Sequence, residues 1–301
     1  MNVLILGAGY IGNHLYNYFV KEVVPAGVVT NVELKSRRQL DYTHKQTLIE
    51  YIESKKTDII ICATGYTGRP NVDACEADKQ QCWLYNVKIP LIIESACYTM
   101  ISTSTGFKPP AKFIHISSGC IYDGYEKNWS ETDEPNFGLY DKSSWYSKTK
   151  HAAETLLNLN RTTVLRIRMP FSSCDSTRNI INKFLSYDTL TSKLNSMTCV
   201  EDLCDFLDTY VRRLRIKSNV PPPGLYNVVH SQPTSAMNII EKISFYTNKK
   251  FKFVDIDELN LQAPRSNCTL STDKISSYQM QLPDINDSLD KCIEKIFSTK
   301  S

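Results

Sequence analysis

The first twelve residues constrain the fold of this chain more than any other stretch. The apolar run at residues 3–6 leads directly into Gly7, Gly9 and Gly12, which are spaced as Gly-x-Gly-x-x-Gly. An uninterrupted apolar run is typical of a buried parallel strand. Glycines at this spacing allow a tight turn, close approach of a pyrophosphate and close packing of the next helix. The pattern predicts a dinucleotide-binding loop, although a glycine-rich turn without a ligand can have the same spacing.

Helical and strand patterns alternate after this loop. Residues 13–23 and 45–56 have apolar side chains at helical spacing, whereas residues 31–34 and 57–64 read as strands. The chain has 301 residues, of which 42% are hydrophobic, so it can bury one large core or two smaller ones. We therefore predict an α/β fold, a Rossmann-type doubly wound parallel sheet with a smaller C-terminal α/β substrate domain.

The residues after the second predicted strand bear on the choice of cofactor. An acidic residue there would hold the ribose 2′-hydroxyl of NAD, but the chain has Ser36, Arg37 and Arg38. Guanidinium groups suit a 2′-phosphate, so we expect NADPH. Glu33 lies slightly earlier and would have to point away from the ribose.

A tyrosine and a lysine have the spacing of a reductase pair. Tyr146 and Lys150 are four residues apart, which on a helix places them on one face about one turn apart. A phenol can donate a proton to a carbonyl oxygen while the carbon is reduced, and a nearby ammonium lowers the pKa of such a phenol. Surface neighbours often share this spacing, so the pair alone is modest evidence for a reductase. The glycine loop and the preceding HISSG make that interpretation stronger.

Charge and cysteine usage exclude other classes of function. The net charge is +3, with basic and acidic residues interspersed, which argues against a nucleic-acid surface. No secretory leader, zinc-like Cys/His spacing or membrane-length apolar run is visible, so the ten cysteines are expected to be free thiols. We expect a cytoplasmic protein with no metal, no nucleic-acid partner and no membrane partner.

Several blocks together identify the chain as similar to a known family. ATGYTGRPNVDACE, SSGCIYDG, WYSKTK, LRIRMPFSS and APRSN resemble the nucleotide-rhamnose synthases, epimerase-reductases of the extended short-chain dehydrogenase/reductase superfamily. The matched blocks run in the family's order to about Ile275. One departure is the glycine loop, which is one residue shorter than the Gly-x-x-Gly-x-x-Gly usual in extended members. The resemblance implies conversion of a UDP- or dTDP-4-keto-6-deoxyglucose to the L-rhamnose nucleotide, with UDP preferred, and a homodimer.

The resemblance also implies a catalytic set. Ser118, Tyr146 and Lys150 match the family's reductase residues, while Cys120 and Lys183 match its two proton-transfer groups. Inverting C3 and C5 of a 4-keto sugar requires a proton to leave one face and another to arrive at the opposite face. A thiol can serve one of these faces. A small buried hydrophobe at a strand end is the alternative for Cys120, and a solvent-facing helix residue is the alternative for Lys183.

Further residues match family positions around the two ligands. The expected cofactor contacts, besides the catalytic pair and the residues already named, are Tyr10, Ile11, Ala63, Thr64, Gly65 and Met169. The expected substrate contacts are Arg69, Asn71, Arg178, Asn179, Asn195, Met197 and Arg265. Asn86 is expected to brace the sheet and the active-site loop.

The resemblance and the turn signals together give a domain division. Residues 1–165 are expected to form the NADP-binding domain, with 196–229 returning to it, and 166–195 and 230–301 to form the sugar-nucleotide domain. Two other functions stay open: a 4-reductase without epimerase activity, which would not need Cys120, and a non-catalytic NADP-binding regulatory protein, which would not need Tyr146.

Overall fold

The computed structural model describes residues 1–99, 101–103, 106–108, 110–140 and 142–298. Its strands are β1 (Asn2–Leu6), β2 (Asn31–Lys35), β3 (Ile59–Cys62), β4 (Ile101–Thr103), β5 (Gly106–Lys108), β6 (Lys112–Ser118), β7 (Gly124–Trp129), β8 (Thr162–Ile167), β9 (Thr189–Leu190), β10 (Gly224–Asn227), β11 (Lys252–Phe253) and β12 (Cys268–Leu270). Strand β4 pairs antiparallel with β5, and β7–β12 and β9–β11 are separate parallel pairs.

The central sheet is parallel, with the strand order β2–β1–β3–β6–β8–β10. This arrangement confirms the predicted Rossmann-type fold class. The strand order reverses at β1, because β2 lies on one side of it and β3 on the other. In open α/β sheets, ligands bind at the carboxyl ends of the strands beside such a reversal. The glycine loop follows β1 and therefore lies at that point.

Helices connect and cover the strands. They are α1 (Tyr10–Tyr18), α2 (Lys45–Ser54), α3 (Ala74–Ala77), α4 (Lys79–Trp83), α5 (Ile89–Cys97), α6 (Trp145–Leu156), α7 (Ile180–Ser186), α8 (Val200–Ile216), α9 (Ala236–Ile243), α10 (Asp273–Ser277) and α11 (Ile285–Ser298). Phe19–Val23 and Leu84–Lys88 continue as wider π-type turns, and Ile256–Glu258 is a single 3₁₀ turn. Within the described ranges, every helix is too short or too polar to cross a membrane.

Both faces of the sheet bury apolar side chains. On one face Leu15 of α1 and Leu207 of α8 pack against strand residues, and on the other Ile52 of α2 and Ile93 of α5 do so. Burial on two faces explains why the strands read as continuous apolar runs rather than alternating ones. A third cluster joins α7, α9 and α11 away from the sheet. The predicted division into two domains stays a prediction.

Two glycines of the first loop have steric reasons to be glycine. Gly7 has a φ of +106°, a conformation that side-chain-bearing residues rarely adopt. A Cβ atom at Gly12 would lie 2.0 Å from the carbonyl oxygen of Gly7. The turn from β1 into α1 therefore requires both glycines whether or not a ligand is bound.

A buried ion pair fastens α6 to the sheet. Arg166 of β8 donates from Nε and Nη2 to Glu154 Oε2 of α6, at 2.9 and 2.7 Å. Ser117 of β6 donates to the other oxygen of Glu154, and Tyr122 accepts from Arg166 Nη1. Arg166 and Glu154 are 2% and 4% exposed, so water cannot replace either partner. This network sets the position of α6 over the ends of β6 and β8.

Removing one partner of this pair is expected to destabilise the fold strongly. Arg166→Met would leave the Glu154 carboxylate buried without its cation, which costs about 3–5 kcal/mol of unfolding free energy. The matched control is Lys242→Met, because Lys242 forms its ion pair with a mostly exposed Asp290. That variant is expected to lose about 1 kcal/mol or less. Urea unfolding of both variants measures the difference, and equal losses would contradict the account.

Candidate active site

A large cavity lies at the carboxyl ends of the sheet strands. Its volume is about 1310 Å³, which exceeds the ~300–1,000 Å³ typical of a site for one small ligand. Residues of the glycine loop, of α7 and of the segment 259–267 all line it. The cavity therefore has room for two ligands.

The cavity brings together most of the side chains that the sequence predicts for the site. Ser118, Cys120, Tyr146, Lys150 and Lys183 all line it. So do the predicted ligand contacts Gly9, Tyr10, Ile11, Ala63, Thr64, Gly65, Arg69, Asn71, Met169, Arg178, Asn195, Met197 and Arg265. These residues come from strand ends, loops and helices that are far apart in the sequence, and the fold brings them to one cavity.

Strand and helix ends set the positions of the predicted reductase residues. Strand β6 ends at Ser118, whose Oγ accepts a hydrogen bond from the backbone N–H of Cys120. Ser144 caps α6, accepting from the backbone N–H of Ser147. As a result Tyr146 and Lys150 lie one turn apart on the face of α6 that meets the cavity, with Lys150 Nζ 5.9 Å from the centre of the Tyr146 ring.

Burial shifts the pKa values of this pair in opposite directions. Burial raises the pKa of the Tyr146 phenol, the nearby Cys120 adds to this, and the hydrogen bond with Ser118 opposes it. Burial lowers the pKa of the Lys150 ammonium. Tyr146 is therefore protonated near neutral pH, as a proton donor must be.

A loop after β3 is fixed in place by a buried asparagine. Asn86 accepts from the backbone N–H of Tyr66 at 2.8 Å and donates to its carbonyl oxygen at 3.0 Å. Its amide also donates to Thr149 Oγ1 of α6 at 3.0 Å. Asn86 thus ties the loop that contains Gly65 to the helix that contains Tyr146, which is the bracing arrangement expected from the sequence.

A cluster of basic side chains lines part of the cavity. Arg178 donates to Thr67 Oγ1 and to the carbonyl oxygen of Gly68, and Arg265 pairs with Asp73 at 2.8 Å. Burial lowers the pKa of Lys183, and the positive charges of Arg178 and Arg265 lower it further. Lys183 therefore exchanges its proton more readily than a solvent-exposed lysine does.

Some predicted site residues lie outside the cavity lining. Gly7 and Gly12 lie beneath the loop, where they allow the turn. Ser36, Arg37 and Arg38 follow β2 without lining the cavity, although the Arg37 guanidinium lies 5.3 Å from the ring centre of Tyr85, which does line it. Glu33 accepts from Tyr51 and pairs with Lys35.

The structure contradicts the prediction that Asn179 contacts the substrate. Its side chain is fully buried, accepts from the backbone N–H of Ile181 at the start of α7 and donates to the carbonyl oxygens of Ser172 and Cys174. All its polar atoms are thus used inside the protein, and it caps a helix instead of reaching the cavity.

Sequence reasoning missed Arg168, which follows β8 and lines the cavity beside Cys120. The signal available was a pair of arginines in the otherwise apolar run VLRIRMP.

Sequence reasoning also missed a group of three side chains that could hold a metal ion, because its members Cys199, Glu201 and Cys292 are distant in sequence. Their ligand atoms lie within 4.8 Å of one another, outside the cavity lining. Glu201 there already accepts hydrogen bonds from Ser173.

Comparisons with known proteins identify the family of this chain. The family model described as the RmlD substrate binding domain matches residues 1–298. A bifunctional dTDP-4-dehydrorhamnose 3,5-epimerase/dTDP-4-dehydrorhamnose reductase of Arabidopsis thaliana is 31% identical over 262 residues, 83% of this chain and 80% of that protein. A trifunctional UDP-glucose 4,6-dehydratase/UDP-4-keto-6-deoxy-D-glucose 3,5-epimerase/UDP-4-keto-L-rhamnose-reductase of the same plant is 30% identical over 83% of this chain, which spans only 36% of that relative.

Solved structures share the fold. The UDP-rhamnose synthase of Acanthamoeba polyphaga mimivirus superposes with a TM-score of 0.79 at 23% identity, covering 98% of this chain and 99% of that one. The dTDP-4-dehydrorhamnose reductase of Bacillus anthracis, solved in complex with NADP, gives 0.74 at 19% identity, covering 100% and 99%. From the full-length family match and the Arabidopsis relative, we conclude that the chain belongs to the RmlD substrate-binding-domain family of the extended short-chain dehydrogenase/reductase superfamily.

Proposed function

We propose that this protein is an NADPH-dependent 3,5-epimerase/4-reductase that converts a nucleotide-4-keto-6-deoxyglucose to the nucleotide-L-rhamnose. One observation carries the proposal: the reductase residues Ser118, Tyr146 and Lys150 line the same cavity as Cys120 and Lys183. A plain reductase needs the first three alone. A binding protein needs none of the five.

The glycine loop fits a dinucleotide. A Cβ atom at Gly9 would meet no protein atom within 4 Å, so the space in front of this residue is open to a ligand. Gly9 is also the N-cap of α1, and the first backbone N–H groups of this helix can donate hydrogen bonds to a pyrophosphate. Ser36, Arg37 and Arg38 would hold the 2′-phosphate near the end of β2. When bound, NADPH supplies the hydride that reduces C4 of the sugar.

The reductase residues act on the 4-keto oxygen. Ser118 and Tyr146 would donate hydrogen bonds to this oxygen and stabilise the negative charge that develops on it. The protonated phenol of Tyr146 then gives its proton to the oxygen as C4 is reduced. Lys150 would orient the cofactor's ribose and help to restore the phenol proton, since its ammonium lies beside the Tyr146 ring.

Cys120 and Lys183 would move protons at C3 and C5. Both carbons are alpha to the carbonyl, so their protons are acidic and the electron pair left behind is stabilised as an enolate at O4. Inversion requires a proton on each face of the ring. Cys120 follows β6 and Lys183 lies on α7, so the two groups reach the cavity from different elements. The lowered pKa of Lys183 suits this proton exchange.

The basic part of the cavity would hold the nucleotide diphosphate. Arg178 and Arg265 can each present two N–H groups to phosphate oxygens. Residues 166–195 and 230–301 would form this substrate domain, and residues 1–165 with 196–229 the cofactor domain. UDP is the proposed nucleotide, supported by the UDP-sugar activities of the trifunctional plant relative and of the mimivirus synthase. A homodimer stays a prediction.

The open space at Gly9 gives a test of the cofactor site. Gly9→Ala is expected to leave the unfolding free energy within about 1 kcal/mol of wild type, since the new methyl group meets no atom. NADPH binding, measured by calorimetry, is expected to weaken at least about tenfold, because that methyl group fills ligand space (about 1.4 kcal/mol). Gly12→Ala is the matched comparison, and its clash with Gly7 predicts a loss of stability. Unchanged NADPH affinity in Gly9→Ala would contradict the placement.

The proposed function is tested in heavy water. Purified protein, NADPH and UDP-4-keto-6-deoxyglucose are expected to give UDP-L-rhamnose with deuterium at C3 and C5, determined by NMR. Cys120→Ala is expected to consume NADPH and give a product that lacks inversion and deuterium at one or both carbons. Cys174→Ala is the matched control, because Cys174 is exposed and does not line the cavity.

Other outcomes distinguish the alternatives. A product of unchanged configuration without deuterium at C3 and C5 would establish a plain 4-reductase. No NADPH consumption would favour a binding protein or another sugar. Tyr146→Phe completes the set, since loss of its proton donor is expected to lower turnover by about 10²–10⁴-fold while NADPH still binds.

A further inference from the structure

A buried arginine without a carboxylate partner lies beside Cys120. Arg168 is 1% exposed, and its Nη1 lies 3.4 Å from Cys120 Sγ. Within the part of the chain that the structure describes, no carboxylate lies within 4.0 Å of this guanidinium. Its Nε is buried without a hydrogen-bond partner. The neighbouring Arg166, in contrast, is neutralised by Glu154.

Uncharged groups accept the other hydrogen bonds of the Arg168 guanidinium, and the carboxylate of Asp123 acts on it only from a distance beyond that of an ion pair. The guanidinium donates to Asn195 Oδ1, to the hydroxyl and carbonyl oxygens of Ser266 and to the carbonyl oxygen of Gly119. An arginine keeps its charge when buried, and an unpaired buried charge is costly. If Arg168 only linked the segments that contain Gly119, Asn195 and Ser266, hydrogen-bond donors would suffice and no positive charge would be needed. The charge therefore points to a partner that becomes negative.

Two thiols lie near this cation, and they differ in access. Burial raises the pKa of Cys268, which is fully buried and does not line the cavity, so it stays a neutral thiol. Cys120 is half-buried, lines the cavity and is within hydrogen-bond distance of Nη1. The other titratable groups facing Cys120 are Tyr146 and Lys150 of α6.

We propose that Arg168 is a positioning residue that stabilises the thiolate of Cys120 during proton transfer at the sugar ring. This inference rests on the proposed epimerase function. When Cys120 acts as base, its sulfur takes the proton from the ring carbon and the C–H electron pair moves to O4 as the enolate. When it acts as acid, the thiol returns a proton to that carbon and the enolate charge collapses. Cys120 is therefore a thiolate either before or after each proton transfer, and the guanidinium of Arg168 lies next to that negative charge.

Thiol alkylation tests this without substrate or cofactor. The rate at which iodoacetamide modifies Cys120 is measured by peptide mass spectrometry across mildly acidic to mildly alkaline pH. At neutral pH, Arg168→Met and Arg168→Gln are expected to lower this rate several-fold, because each removes the positive charge that lies 3.4 Å from the reacting sulfur. Arg168→Lys, which keeps the charge, is expected to recover part of the rate. The exposed Cys174 is an internal control in every sample.

A second control separates charge from structure. Ser266→Ala removes the hydroxyl that accepts from Arg168 Nη1 but leaves the guanidinium in place. It is expected to change the Cys120 rate far less than Arg168→Gln does. Arg168→Gln retains polar donors in the buried site, so the Cys120 rate can still be compared with that of wild type if Arg168→Met does not fold. Equal Cys120 rates in wild type and folded Arg168→Gln would overturn the proposal.

The link to catalysis is tested with substrate in heavy water. Arg168→Gln is expected to lower deuterium incorporation at the same carbon or carbons that Cys120→Ala affects. Unchanged incorporation there, or a loss at a carbon that Cys120→Ala leaves unaffected, would overturn the positioning role. Absence of exchange in the wild-type protein would instead overturn the proposed epimerase function, whereas the alkylation result still decides whether Arg168 controls the thiol.

Discussion

The buried pair between Glu154 and Arg166 determines where the chemistry can occur. It joins α6 to β8, and through Ser117 it also joins α6 to β6. Helix α6 contains Tyr146 and Lys150, and β6 ends at Ser118. The three proposed reductase residues thus keep one geometry, because a single desolvated network fixes the helix on both strands. Flexible surface pairs could not do this, since water competes for each partner.

Positive charge is distributed unevenly around the cavity. Arg178, Lys183 and Arg265 form one basic group that lines the cavity; burial lowers the pKa of Lys183, and the positive charges of the two arginines lower it further. Arg168 lies beside Cys120. A doubly charged diphosphate would relieve the repulsion within the basic group, and a thiolate would balance the charge of Arg168. The two cationic regions thereby assign different roles to the substrate's nucleotide and to its sugar.

The sequence predicts the parts of this site that depend on local patterns. The glycine loop, the Tyr146–Lys150 spacing and the continuous apolar strands each follow from short-range geometry, and the fold class they predict is confirmed. Asn179 was predicted to bind substrate, but its side chain caps α7, and only the loop after β8 reveals this. The role of Arg168 depends on its contacts with segments around residues 120, 195 and 266. These segments are distant in the sequence, so no local pattern predicts that they lie together.

The central claim is that one sugar ring lies between two proton-exchange groups while its carbonyl contacts the reductase residues. A crystal structure of the protein with oxidised NADP and a UDP-6-deoxyhexose tests this most directly. The account predicts Cys120 Sγ on one face of the ring, Lys183 Nζ on the other, and O4 within hydrogen-bond distance of Ser118 and Tyr146. A ring with both groups on the same face, or with O4 away from Tyr146, would contradict it.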